Sequence, residues 1–188
     1  MFLVSHSSMD LYQRDKKAWV KKYVYGIEPP TTIWINFGKR FAEAIEFREH
    51  EHDFDIELVK KLVPDYKERE KRIEVILGEC GFVGILDGYS KGMVGEYKTG
   101  KEWTQDMVDQ SAQLTFYAWL VFKTTGKIPK IELTWLETTT QGRSVMFTGN
   151  VQTFKSSRSK GQLEIVERKA VRLYGEMVAT MKKEVQKL

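Results

Sequence analysis

Between Arg72 and Thr99 the chain reads as three short β-type runs, RIEVILG, FVGILDGY and MVGEYKT, separated by turns that contain glycine. That spacing predicts an antiparallel meander, and no other stretch narrows the fold as far. The flanks have a different rhythm. Ser8 and Asp10 can start a helix running to about Val24, with Leu11, Tyr12, Trp19 and Tyr23 on its apolar side. Pro29 and Pro30 end that pattern. A second helix is predicted over residues 36–49, burying Phe37, Phe41, Ala44 and Ile45, and a short third over residues 55–62. After the meander, residues 103–123 are helical again, with Thr104 as the cap and Asp106 and Asp109 suited to the positive end. KIELTWLE and SVMFTGNVQTF are strands, with a bend at Gly149 and Asn150, and an amphipathic helix over residues 163–185 follows. This order predicts an α/β fold, a small mixed β-sheet flanked by helices. With four prolines and no Ser/Gly-rich linker, residues 1–188 read as a single domain.

Composition excludes more than it proves. A hydrophobic content of 41% and a charged content of 30% are those of a globular chain, not a disordered one. The lone Cys80 excludes an intramolecular disulfide, a zinc ribbon and a four-cysteine iron–sulfur cluster. It suits a reducing compartment, so a cytoplasmic location is expected. A net charge of +4 permits a polyanionic partner without requiring one. The opening MFLVSHSS is too short an apolar run for a signal peptide, and no stretch approaches membrane-spanning length.

The hairpin carries the chemistry. Glu96 and Lys98 lie two apart in GEYKTG and project from one face of a strand. Alone, such a pair is a solvated strand face. Asp87 precedes Glu96 across a turn at Ser90, Lys91 and Gly92, and register decides whether the acids meet. A turn centred between Ser90 and Lys91 pairs Tyr89 with Gly92 and Asp87 with Val94. Asp87, Val94, Glu96 and Lys98 then share a face, and the Asp87–Glu96 diagonal is roughly 7–8 Å. A one-residue slip would separate them. Two acids and a lysine suit phosphodiester hydrolysis: carboxylates are hard ligands for Mg²⁺ or Mn²⁺, and a lysine can orient a water and offset developing negative charge. Gln113 and Tyr117, at i and i+4, offer one helix face directly after the hairpin.

With these residues assembled, GILDGYSKGMVGEYKTGKEW and QSAQLTFYAWL resemble the RecB-like branch of the PD-(D/E)XK nuclease superfamily. That branch has a G-x-x-D segment, a D/E-x-K-T-G strand and a Q-x-x-x-Y helix, matched here by Gly84 and Asp87, by Glu96 to Gly100, and by Gln113 and Tyr117. SHSSMDLYQRDKKAWVKKYVYG resembles the family's first helix, which commonly opens with a serine-rich turn. The resemblance covers about two-thirds of the chain, and its motifs are specific together although each is weak alone. It implies a restriction-endonuclease-like core, with Asp87, Glu96 and the Tyr97 carbonyl as metal ligands. Lys98 would be the catalytic lysine, and Gln113 and Tyr117 would position DNA or support the site.

There are two departures from the family. Its early helix often reads G-x-x-x-H, whereas GKRF, residues 38–41, is followed here by Ala42, which ligates nothing. Glu46, one turn later on nearly the same flank, stands as the replacement ligand, direct or through water, beside an equal reading as a solvated glutamate. The chain also lacks the cysteines of cluster-binding relatives and is similar to compact phage-type members. What the resemblance implies is a Mg²⁺- or Mn²⁺-dependent DNase without an iron–sulfur cluster. It would be an exonuclease acting on single- or double-stranded DNA ends in recombination, repair or phage replication, in a bacterial or phage-infected cell. A homo-oligomer or a recombination partner protein stays open, as do a structure-specific endonuclease and a catalytically silent binding module. Candidate phosphate contacts are Lys16, Lys17, Lys21 and Lys22, and Lys155, Arg158 and Lys160 in a flexible loop KSSRSKG. For the first group solvent-facing charge is the readier reading. Trp103 could stack on a base, although core packing is commoner, and His50 and His52 read as surface residues.

Overall fold

The computed structural model describes residues 2–47 and 61–187, with Glu46 and Phe47 described in backbone only. The first predicted helix is in fact two, α1 (His6–Arg14) and α2 (Lys16–Tyr23). Asp15 between them is extended, and its carboxylate accepts from the Ala18 N–H at 2.9 Å, capping α2. A local cap thus competes successfully with helix continuation. Ser5, not Ser8, caps α1. Ser8 is buried, and its hydroxyl accepts from the Trp19 indole at 2.9 Å. Helix α3 (Ile33–Phe47) starts earlier than predicted and buries Phe37, Phe41, Ala44 and Ile45 as expected. The helix predicted over residues 55–62 falls, but for its last two residues, outside those described.

Six strands form one mixed sheet: β1 (Leu3–Val4), β2 (Glu68–Leu77), β3 (Cys80–Ser90), β4 (Met93–Gly100), β5 (Lys130–Gln141) and β6 (Ser144–Ser156). The expected meander is present as β2–β3–β4, β5 runs parallel to β4, and β6 returns antiparallel. The predicted irregularity near Gly149 is real: that glycine has φ 94, and the β5–β6 register shifts between Leu136 and Thr138. The helix predicted over residues 103–123 is again two, α4 (Gln105–Gln110) and α5 (Ala112–Thr125), parted at Ser111, which caps α5. Thr104 caps α4 as predicted. Helix α6 (Lys160–Val185) closes the fold behind a capping box of Ser159 and Gln162.

Helices α1, α2, α5 and α6 cover one face of the sheet, around Trp19, Phe82, Phe116, Trp119, Leu133 and Met177. Helix α3 covers the other, where Phe37, Phe41 and Ile45 meet Tyr66, Tyr97, Leu136 and Val145. Apolar burial on both faces explains why the central strands read as nearly continuous hydrophobic runs.

The edge of β3 that faces β4 is shared. β1 takes Gly81 and Phe82, whereas β4 takes only Gly88, Tyr89 and Ser90. Beyond Gly88 and Gly95 the two strands of the hairpin part, so the sheet forks. The hinge of the fork is a glycine pair. A Cβ on Gly88 would lie 1.9 Å, and one on Gly95 2.2 Å, from the ring of Tyr66 stacked over both. Tyr66, on the α3 face, fills the space beside Gly95.

Candidate active site

The hairpin register differs from the expected one. Tyr89 pairs with Val94 and Gly88 with Gly95, so the turn is centred between Lys91 and Gly92, the latter at φ 81. Partners are displaced by two residues, an even shift that preserves parity. Continuing this register puts Asp87 opposite Glu96, closer than the diagonal expected from sequence. Asp87 does not share the face of Glu96, however. Leu86 joins the main core, while the Cβ position of Gly88 faces Tyr66 on the other side of the sheet. Side chains two apart should point the same way, so β3 turns over at Asp87 and aims its carboxylate sideways into the fork. There Asp87 Oδ2 accepts from the Tyr97 N–H at 2.8 Å. The carbonyl of a strand residue leaves on the same side as its N–H, so the Tyr97 carbonyl faces the fork too.

Glu96 is 1% exposed. Its Oε1 pairs with Lys98 Nζ at 2.5 Å, while Oε2 is buried with no hydrogen-bond partner among the described residues. Burial, and then the neighbouring charge of Asp87, push the Glu96 carboxyl up to about 8 against the pull of Lys98. Asp87 is raised as well, by burial, with the Tyr97 N–H and Lys98 opposing. Burial acts to lower the Lys98 ammonium, but Glu96 and Asp87 outweigh it and leave Lys98 raised. Two acids so placed repel each other, and one lysine does not compensate both.

Asp87, Glu96, Tyr97 and Lys98 line a cavity of about 320 Å³. Helix α3 supplies Gly38, Phe41, Ala42 and Ile45, and α5 supplies Gln113 in its first turn. The Gln113 amide donates to the Tyr117 hydroxyl at 3.0 Å, and the Tyr117 ring lies against Gly84, where a Cβ would be 3.2 Å from it. Burial raises the Tyr117 phenol, with Glu96 adding to it. All three linked motifs thus converge, with Tyr117 one step behind Gln113. Ala42 faces the cavity without a ligating group. The Glu46 side chain lies outside the described residues. An acid missed by sequence reasoning, Glu70 of β2, also lines the cavity. Nothing in EREKRIE sets it apart from its charged neighbours; its mark is in the backbone, a φ of 47.

Other candidates are placed elsewhere. Arg158 is 5% exposed, not a loop phosphate contact. It donates to the Thr115 hydroxyl, the Val108 carbonyl, and the hydroxyl of Ser156 and carbonyl of Ser157, tying β6 to α4 and α5. KSSRSKG is correspondingly not a free loop: Lys155 belongs to β6, Ser159 caps α6, and Lys160 opens that helix. Lys22 pairs with Glu28, and Lys16 lies over the Tyr12 ring. Lys17 and Lys21 are exposed. Trp103 packs against the main core, the commoner of its two readings. His50 and His52 lie outside the described residues. Among the described helices none is long and apolar enough to cross a membrane.

The fold of the chain, a mixed sheet with helices on both faces, is similar to that of solved exonuclease structures. A candidate exonuclease from Eubacterium rectale superposes with a TM-score of 0.61 at 11% identity, over 97% of this chain and 82% of that one. The alkaline exonuclease LHK-Exo from Laribacter hongkongensis gives a TM-score of 0.50 at 12% identity, over 98% and 92%. Its complex with dAMP gives 0.54 at the same identity and coverage. At these identities the likeness is one of fold. No protein-family model and no curated protein sequence matches the chain.

Proposed function

We propose that the chain is a divalent-metal-dependent DNA nuclease of the RecB-like PD-(D/E)XK type, a single nuclease domain over residues 1–188. The reading favoured is an exonuclease hydrolysing phosphodiester bonds from DNA ends, in recombination, repair or phage replication in the cytoplasm. One observation carries it: Asp87, Glu96 and Lys98 meet at a fork in the sheet, with a buried Glu96 oxygen that has no hydrogen-bond partner among the described residues. A buried, unsatisfied carboxylate oxygen is costly unless something binds it. The donor set fits Mg²⁺ or Mn²⁺, since Asp87, Glu96 and the Tyr97 carbonyl would all present hard oxygens. When bound, such an ion lowers the pKa of a water and offsets charge on the scissile phosphate.

The residues of the chain do the rest. Asp87, anchored by the Tyr97 N–H, fixes the distance between the two arms of the fork. Lys98 is held at the cavity by Glu96, where its ammonium can orient the attacking water and stabilise negative charge building on the phosphate. Tyr117 orients the Gln113 amide, which is thereby presented to a DNA backbone oxygen or to the water. The dAMP complex of LHK-Exo supports a nucleotide as ligand of this fold.

The test is cleavage of linear and circular DNA, single- and double-stranded, with Mg²⁺, Mn²⁺ or EDTA. Cleavage of linear DNA that requires the metal and is abolished by Asp87→Ala and by Lys98→Ala, with circular dichroism unchanged, is the expected result. Undiminished cleavage in both variants sinks the mechanism. Cleavage of circles would favour the endonuclease reading, and DNA binding without cleavage the silent module that Ala42 suggests.

A further inference from the structure

Glu70 stands out by its backbone. Among the described residues seven glycines have positive φ, and Glu70, at φ 47, is the one non-glycine that does. Left-handed backbone strains any residue with a Cβ, and among non-glycines Asn and Asp enter it far more readily than Glu. At a position of this kind glycine is the unstrained choice, which the chain makes at every other such position among the described residues. The ladder locates the strain. Arg69 pairs with Gly88 and Lys71 with Leu86, and the same register sets Glu70, between them, opposite Asp87. The distortion of β2 therefore falls beside the point where β3 turns over. Glu70 lines the cavity that holds Asp87, Glu96 and Lys98. Its charge reaches both Glu96 and Tyr117, as the last contributor to the rise of each after burial and nearer groups. Strain held at a functional site is expected where the displaced side chain is used.

We infer that Glu70 is a third acidic group of this site, acting on the bound divalent cation through the ion's water shell and setting how tightly the site holds it. The inference rests on the metal-dependent reading above. It is placed in the outer shell because, among the described residues, no three His, Cys, Asp or Glu side chains converge closely enough to share an ion directly. Asp87 and Glu96 supply the inner carboxylates, and the Glu96 oxygen without a partner among the described residues marks where the cation would sit. Mg²⁺ in particular keeps several waters when protein-bound, and those waters need acceptors. Glu70 is a positioning residue on this account, since it touches neither the phosphate nor the reacting water.

The experiment is titration of the full chain, free of DNA, with Mn²⁺ alone and with Mg²⁺ alone by isothermal calorimetry. The proteins compared are wild type, Glu70→Gln, Glu70→Gly and, as a reference, Asp87→Asn. Loss of an outer-shell partner weakens metal binding by about ten-fold or more, and that is the loss expected in both Glu70 variants. Glu70→Gln keeps shape and removes charge. Glu70→Gly relieves the backbone, so its metal-free melting temperature should equal or exceed that of wild type while its affinity falls. A purely structural Glu70 predicts the reverse, a lower melting temperature with unchanged affinity. Wild-type affinity in both variants overturns the inference and leaves the nuclease reading standing. Absence of cation binding by the wild type itself overturns the metal-dependent reading and this inference with it.

Discussion

With one oxygen on Lys98 and the other without a partner among the described residues, Glu96 is a carboxyl that the folded chain would sooner keep protonated. Its affinity for a proton is higher folded than unfolded, between its ordinary value of 4.5 and about 8. The folded state therefore binds more protons across that window, and its contribution is favourable at low pH and lost as the pH rises through about 8. Asp87 shifts in the same direction. The metal-free protein should accordingly have a lower urea midpoint at about pH 9 than at about pH 6. Millimolar Mn²⁺, which binds the deprotonated carboxylates, should raise the midpoint more at the higher pH. An equal increment at both pH values would show that these acids do not hold the ion. That Asp87, Glu96, Lys98 and Gln113 would meet was legible from the hairpin and the helix after it, although Asp87 arrives in a register two residues from the expected one and Tyr117 stands behind Gln113. Glu70 was not, because what distinguishes it is a backbone angle that no residue type announces.

At the level of elements, hydrophobic periodicity found five of the six described strands, missing the two-residue β1, and most helices, but ran through two breaks, at Asp15 and Ser111. Both are side-chain caps inside an apolar pattern that continues across them, so periodicity alone cannot see the interruption. The second break matters for the site, since it starts a new helix at Ala112 and puts Gln113 in its first turn. Helix α3 carries a further feature. Gly38, Phe41, Ala42 and Ile45 line the cavity, and Trp34, one turn before Gly38, continues that stripe outward with 43% exposure. The Cβ position of Gly38 is 3.8 Å from the Thr99 hydroxyl, so the helix crosses β4 closely there. If DNA enters along α3, the Trp34 indole offers a base-stacking surface at the mouth. Trp34→Ala should then weaken binding of single-stranded DNA, measured by fluorescence anisotropy without metal, by about 1–3 kcal/mol, the usual worth of one stacked base. Unchanged binding would mean that the strand takes another path.

At the scale of the molecule, the order of helices, meander, helix, strands and helix was enough to read an α/β fold with a small mixed sheet flanked by helices. The fork was not readable, because a sequence shows which residues can form strands but not where two strands stop pairing. That point is set by tertiary contacts: β1 takes the near part of the β3 edge, and Tyr66 sits on the glycine pair. The contact with Tyr66 has a thermal consequence. The main core is large and spans the sheet and five helices, while the cluster around Phe37, Phe41, Tyr66 and Tyr97 is a smaller one on the other face. Small satellite cores open before the global transition. Gly95→Ala, whose methyl would press into the Tyr66 ring, should cost about 1–3 kcal/mol, and the cost should fall on that cluster. On slow heating, cleavage should vanish several degrees before helical circular dichroism does, and the variant should widen that interval without shifting the helical transition equally. Coincident losses in both proteins would rule this out. On this account the ceiling on working temperature is set by one tyrosine ring on two glycines, and the bulk of the fold outlasts the spacing of its acids.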